Sequence, residues 1–249
     1  MKLLSSQISA GTLYVVATPI GNLFDMGQRA IAVLGGVDLV AAEDTRHTQH
    51  LLRHYGISAQ LVSIHEHNER KRVGELIARL RNKDSIALVS DAGTPLVSDP
   101  GFLLVEQAVR EDLPVRAVPG PSAVVAALSV CGLPTDRFVF EGFLPTKSGA
   151  RRTHLARCVN ESRTLVFFEA SRRLPSTLAD MVSVFGPCRE VSVVLEISKI
   201  YERISLAPVG ELCRRLEDGE WVGRGECVLI VSGVEHIDCL LYTSPSPRD

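Results

Sequence analysis

SDAGTPLVSDPG, residues 90–101, decides how this chain is read. The segment follows a short apolar run, Ile86-Ala87-Leu88-Val89, and precedes an amphipathic one, 102–110. A brief apolar run bounded by turn residues is the pattern of a buried strand. Most residues after it are small or turn-forming, yet apolar Leu96 and Val97 sit among them. Small residues leave room for a ligand and let backbone approach it. A loop of this length between compact elements is uncommon and is more often functional than not.

Outward from this loop, the same alternation recurs. Strands are predicted at 13–18, 38–42, 61–64, 85–90 and 115–118. Between them lie a helix from Asp25 to about residue 34, one over 46–54 capped by Thr45, one capped by Asn68, and one over 102–110. Val73, Leu76, Ile77 and Leu80 fall at i, i+3, i+4 and i+7, a single helical face. The second half gives strands at 138–141, 164–169, 190–197 and 227–231, and helices at 123–129, 149–159, 177–185 and 209–216. Strands alternating with helices of this length imply an α/β fold with a parallel or mixed sheet. The breaks PGPS (119–122) and CGLP (131–134) mark a boundary. The reading is therefore an N-terminal α/β domain over 1–118, a C-terminal α/β domain over 119–235, and an irregular tail over 236–249 that is either native or an artefact of the gene's end.

Composition narrows the function classes. With 249 residues, 45% hydrophobic, the chain can build one large core or two ordinary ones. A net charge of −2 supplies no global field for nucleic acid, so any RNA contact must come from local patches. Six cysteines, all in the second half and none paired as Cys-x-x-Cys, imply neither a zinc nor a thioredoxin-like motif and point to a reducing compartment. His47, His50 and His54 share a helix and His65-Glu66-His67 form a short pair, but no third ligand follows at zinc-like spacing, so no metal is expected. His65 and Asn68 are read as cleft or cap residues. The N-terminus lacks the blocks of a signal peptide, and no apolar run is long enough for a membrane span. The expected location is the cytoplasm.

Ligands in open α/β sheets bind beyond the carboxyl ends of strands. Four such ends are unusual: TPIGNL (18–23), EDTR (43–46), the long loop itself, and PGPSA (119–123), where Ser122 begins a helix whose positive end favours a carboxylate. The first also reads as a tight turn, and the second as a helix cap with a local ion pair. None is a Gly-x-Gly-x-x-Gly fingerprint or a Walker A loop, and no Ser/His/Asp signature is present.

Together, LYVVATPIGNL (13–23), AAEDTRHT (41–48), HEHNE (65–69), ALVSDAGTPLVSDPG (87–101), PGPSA, LPTDRFVFEGFLP (133–145) and GELCRRLEDGEWVGRGECVLIVSG (210–233) closely resemble the ribosomal RNA small-subunit methyltransferase I family. These are ribose 2′-O-methyltransferases of the tetrapyrrole methylase superfamily. The resemblance covers about residues 11–233. It implies two α/β domains of the tetrapyrrole-methylase-like, class III type, with S-adenosyl-L-methionine folded in the cleft between them, and a homodimer. Carried over by position, the cofactor contacts are Pro19 and Ile20, the loop residues Asp91, Ala92, Gly93, Thr94, Pro95 and Val97, then Ser122 and Ala123, with Phe168 as a wall. The reaction it implies is in-line methyl transfer to a cytidine ribose in 16S ribosomal RNA, free or in the small subunit. Glu43, Asp44 and Glu169 are candidates to assist the hydroxyl, with Arg46 and Lys199 holding phosphate or orienting an acid. The choice among the acids stays open. Lys147, Arg151 and Arg152 are the leading RNA contacts, with Arg70-Lys71-Arg72 and Arg172-Arg173 as further basic clusters or plain solvated faces.

Relatives of this fold that methylate tetrapyrroles, or a modified histidine on a translation factor, carry a glycine-rich first loop and a Gly-Asp-Pro third loop. TPIGNL and DAGTP favour the RNA branch. The Glu43-Asp44 cluster speaks against a non-catalytic cofactor- or RNA-binding module. One departure stands out. Family members continue past the Gly233 position into a basic helical extension, where this sequence has VEHIDCLLYTSPSPRD. Lacking it, the chain is expected to hold cofactor well and RNA less well.

Overall fold

The computed structural model describes residues 8–219 and 225–234; the predicted tail over 236–249 and Cys239 lie outside them. Five apolar runs of the first half pair as a parallel sheet. They are β1 (Leu13–Val16), β2 (Leu39–Ala42), β3 (Leu61–Ser63), β4 (Ile86–Val89) and β5 (Val115–Val118), in the order β3-β2-β4-β1-β5. Crossover helices cover both faces, so β2 and β4 are buried at every position, which is why they read as continuous apolar runs. α1 (Gln28–Leu34) and α2 (Thr45–His54) pack against Tyr14, Val16, Val40 and Val89. α3 (Glu69–Arg81) and α4 (Phe102–Arg110) pack against Leu13, Leu39, Ile86 and Leu88 on the other side. The predicted stripe Leu76, Ile77 and Leu80 lies in that second core.

The second sheet is mixed. β6 (Phe138–Phe143), β7 (Thr164–Ala170), β8 (Glu190–Leu195), β9 (Arg203–Pro208) and β10 (Glu226–Val231) take the order β6-β7-β10-β8-β9. β6 runs parallel to β7, and the other neighbours are antiparallel. Residues alternate between two cores. Leu165, Phe167, Leu229 and Val231 face α6 (Ser148–Arg157), α7 (Leu174–Phe185) and α8 (Val209–Glu217). Val166, Val194, Val228 and Ile230 face α5 (Ala123–Val130). No helix among the described residues is long and apolar enough to cross a membrane.

Several local expectations change. Gly27, not Asp25, occupies the N-cap of α1, and Asp25 ends a separate 3-10 turn, Leu23–Asp25. Asp44, not Thr45, caps α2: its carboxylate accepts from the Arg46 amide at 2.8 Å. Asn68 stands at the N-cap of α3 but makes no cap bond; its Oδ1 accepts from the His65 amide instead. β9 went unrecognised in the sequence, because as an edge strand it exposes Ile204 and Leu206 and breaks the expected burial pattern.

Candidate active-site cleft

The four unusual strand ends converge. Thr18 and Gly93 exchange two backbone hydrogen bonds, at 2.9 and 3.1 Å, which lock the first loop to the third. The Thr18 hydroxyl donates to the Ser90 carbonyl, and the Thr94 hydroxyl donates to the Pro121 carbonyl at 3.0 Å, tying the third loop to the fourth. The Asp91 amide donates to Glu43, and Asp91 in turn accepts from the Asp44 amide at 3.1 Å. Glu69, buried at the start of α3, accepts from the Gly101 and Leu103 amides and so fixes the far end of the long loop onto α4. Gly93 adopts a φ of 86°, and a Cβ there would stand 3.3 Å from Ile20. Leu96 and Ser98 also hold positive φ within this loop, a strain that persists only because neighbours fix the backbone.

These loops form one wall of a cavity of about 480 Å³, within the usual range for ligand sites. The second sheet forms the other wall. Phe168 points into the cavity and packs edge to face with Phe143 at 5.3 Å. Val194, Ile197 and Val228 complete the apolar side.

The loop wall carries three acids, Glu43, Asp91 and Asp99. Burial, reinforced by the charges of Glu43 and Asp91, raises Asp99 to about 6 although a Ser90 hydrogen bond opposes it. Burial likewise raises Glu43, and the charges of Asp91, Glu66 and Asp44 add to it against the Asp91 amide. Asp44 moves the other way, to about 2, because Arg46 bonds its carboxylate. Groups tuned toward neutrality in a cleft are the ones suited to proton transfer.

Among the cofactor expectations, Ile20, Asp91, Ala92, Gly93, Thr94, Val97, Ser122, Ala123 and Phe168 line the cavity. Pro19 and Pro95 lie in the same loops without lining it. Among the catalytic expectations, Glu43 lines the cavity, while Asp44 and Arg46 pair with each other outside it, the Arg46 side chain 87% exposed. Glu169 lines the cavity as well, but strand alternation turns its carboxylate away from Phe168, and there, buried, it accepts from Arg173 at 2.6 Å and Thr177 at 2.7 Å. Lys199 is not a lining residue. It pairs with Glu196 and Glu226 and lies across Gly21, where a Cβ would stand 2.4 Å from its chain. Sequence reasoning missed Phe143, Val194, Ile197 and Val228 on the apolar wall and, among the acids of the loop wall, Asp99. Asp99 stood inside the quoted loop but read as a turn residue before Pro100, and only burial distinguishes it.

Comparison with known proteins gives this cleft its context. Residues 12–213 match the family model of the Tetrapyrrole (Corrin/Porphyrin) Methylases. The ribosomal RNA small subunit methyltransferase I of Pseudomonas aeruginosa is 53% identical over 91% of this chain and 80% of its own length. That of Escherichia coli O157:H7 is 51% identical over 92% and 80%. This chain belongs to the ribosomal RNA small subunit methyltransferase I family, within the tetrapyrrole methylases. Among solved structures, a diphthine synthase aligns with a TM-score of 0.62 at 13% identity, covering 89% of each chain. A uroporphyrin-III-C-methyltransferase from Thermus thermophilus aligns at 0.58 and 21%, covering 89% of this chain and 94% of its own. At such identities the likeness is one of fold.

For a ribosomal RNA small subunit methyltransferase I chain, the basic residues near the cleft divide sharply. Lys147 and Arg152 are exposed. Arg151 is corrected: only 2% exposed, it bonds Asp180 at 2.7 Å, the Ser176 hydroxyl, and the Pro145 and Thr146 carbonyls. It clamps α6 to α7 and cannot reach phosphate. One residue along a helix is a rotation of about 100°, which separates the buried Arg151 from the solvated Arg152. Arg72 pairs with Glu75 and Arg173 with Glu169, while Arg70, Lys71 and Arg172 are exposed.

Proposed function

We propose that this chain transfers the methyl group of S-adenosyl-L-methionine to the ribose 2′-hydroxyl of a cytidine in small-subunit ribosomal RNA. The observation that carries the reading is a ligand-sized cavity with carboxylates on one wall and aromatic side chains on the other. Family membership supplies the reaction class. The residues present fit the methyl donor. Phe143, Phe168, Val97 and Ile197 suit an adenosine, the acids suit a cationic ligand, and Ser122 at the start of α5 makes no cap bond of its own. When bound, the donor supplies an electrophilic methyl on a positively charged sulfur.

In this reading Asp91, Ala92, Gly93 and Thr94 hold the polar end of the donor, with Ser122 and Ala123 facing its carboxylate. Pro19 and Pro95 keep their loops on course. Alignment of acceptor and donor does most of the work, since charge is discharged rather than created as the bond forms. Ionised Asp99 would accept the hydrogen bond of the acceptor hydroxyl and take its proton as that oxygen becomes the nucleophile, with the bound donor supplying the electrophilic methyl and retaining the electron pair on its sulfur. An acid near 6 is ionised at neutral pH yet still a useful base. Glu43 beside it orients the hydroxyl. Lys147 and Arg152 contact RNA phosphate, and a cytoplasmic location follows from the substrate. A second copy of the chain packs over the exposed apolar side chains Val130, Ile204 and Leu206, the last of which lies against the Gly132 turn.

The test is label transfer from radioactive S-adenosyl-L-methionine to small ribosomal subunits from a strain lacking native ribose methylation, followed by nucleoside analysis. Label in 2′-O-methylcytidine is expected. Label in a base, or none despite donor binding in calorimetry, would overturn the assignment and direct attention to a small-molecule or protein acceptor.

A further inference from the structure

Away from the cleft, three side chains of metal-ligating type converge on the outer face of the second sheet. Glu141 comes from β6, His154 from the last turn of α6, and Cys158 from that helix's C-cap. One ligand atom from each lies within 4.8 Å of the other two. His154 and Cys158 are four apart, one helical turn, so α6 presents both to the strand. His154 Nε2 stands 3.2 Å from Glu141 Oε2 but is not aligned to bond it, and this buried atom has no hydrogen-bond partner among the described residues. Buried polar atoms ordinarily find partners. The His154 ring is held edge-on by Phe167 at 6.3 Å, and the Cys158 thiol is buried with only a long contact to the His154 carbonyl at 3.7 Å.

We propose that Glu141, His154 and Cys158 form a three-ligand site for a divalent transition-metal cation, zinc above others. An imidazole, a thiolate and one carboxylate suit zinc, whereas magnesium and calcium take oxygen ligands. Bond lengths of about 2.0–2.3 Å place tetrahedral ligand atoms roughly 3.5 Å apart, so a closure of about 1 Å completes the set, with water in the fourth position. Binding replaces the thiol proton: a cation and a thiol give a metal thiolate and a released proton. The ion clamps α6 to β6, the strand whose last residue, Phe143, lines the cleft. The sequence concealed the site because its helical pair lacks a neighbouring third ligand; the fold supplies Glu141 from a strand.

The experiment uses the whole protein, stripped with chelator and titrated with cobalt(II) and zinc(II). One equivalent of cobalt is expected, with tetrahedral d–d bands and a thiolate charge-transfer band. Cys158→Ser should remove the charge-transfer band, and His154→Ala should weaken zinc binding at least about tenfold. Zinc should raise the melting temperature of the parent and of neither variant. Absence of the charge-transfer band in the parent, or its survival in Cys158→Ser, overturns the proposal. Should either variant fail to fold, Glu141→Gln decides: unchanged cobalt affinity there overturns it, and weakened affinity supports it. None of these readouts depends on methyl transfer.

Discussion

The two walls of the cleft are made in different ways. The first-sheet wall is mostly loop, and its shape depends on hydrogen bonds between loops, such as the Thr18–Gly93 exchange and the Asp91 amide to the Glu43 carboxylate. The second-sheet wall is strand, and its shape follows from alternation, with Phe168 forward and Glu169 behind. The loop wall holds Glu43 and Asp99 at raised pKa because it buries them beside one another and beside Asp91. The strand wall places apolar side chains accurately, but each position has only two directions available. Chemistry sits on one side and shape on the other.

Asp99→Asn should break the comparison most severely. If the loop wall does the chemistry, kcat for subunit methylation falls about 10²- to 10⁴-fold with little change in donor KM, as expected for losing a general base. An equal loss in donor affinity would place Asp99 in binding instead. Next comes Glu169→Ala, which leaves the partly exposed Arg173 and the buried Thr177 hydroxyl without their partner and should cost about 1–3 kcal/mol in denaturant unfolding. A stable Glu169→Ala with reduced kcat would return Glu169 to catalysis. Phe168→Ala removes the strand wall's main surface and should weaken donor binding about tenfold in calorimetry, with kcat nearly intact. A smaller effect is one of pH. Asp99 is raised from 3.8 to about 6 in the folded chain, so its contribution is fully present below about 4 and is lost as pH rises through 6. Asp99→Asn should therefore match the parent near pH 4 and exceed it at pH 8 by on the order of 1 kcal/mol, after allowance for partial exposure. Equal unfolding midpoints at pH 8 would contradict the shift. Smallest of all is Arg46→Ala, whose exposed pairing with Asp44 should leave melting and turnover almost unchanged.

Much of this was legible before any coordinates. Buried parallel strands announce themselves as short apolar runs, and Gly, Pro and Ser mark the loops, so the α/β class could be read directly, whereas the nine cofactor positions that line the cavity came by position from the family resemblance. What failed was direction. Arg151 and Arg152 look alike in sequence and both reach Asp180, at 2.7 and 3.8 Å, yet the turn of the helix carries only Arg151 inward. Glu169 looked functional because it ends a strand, yet alternation aims it at Thr177. Asp99 differs from many turn aspartates only in its surroundings. Thr45 was expected to cap α2, and the backbone starts the helix one residue earlier, with Asp44 as the cap. Burial is a property of neighbours distant in sequence, which local pattern does not encode.

The position of β10 has a consequence for biosynthesis. The last strand among the described residues inserts between β7 and β8, at the centre of its sheet. While the chain is being made, the first sheet can fold early, since domains tend to fold as they emerge. The second sheet must wait with two unsatisfied edges until β10 leaves the ribosome, and the cleft, which draws on residues from Ile20 to Val228, cannot exist before then. A nascent chain is thus unable to bind its ligands prematurely, and it passes through an interval in which exposed strand edges invite pairing with other chains.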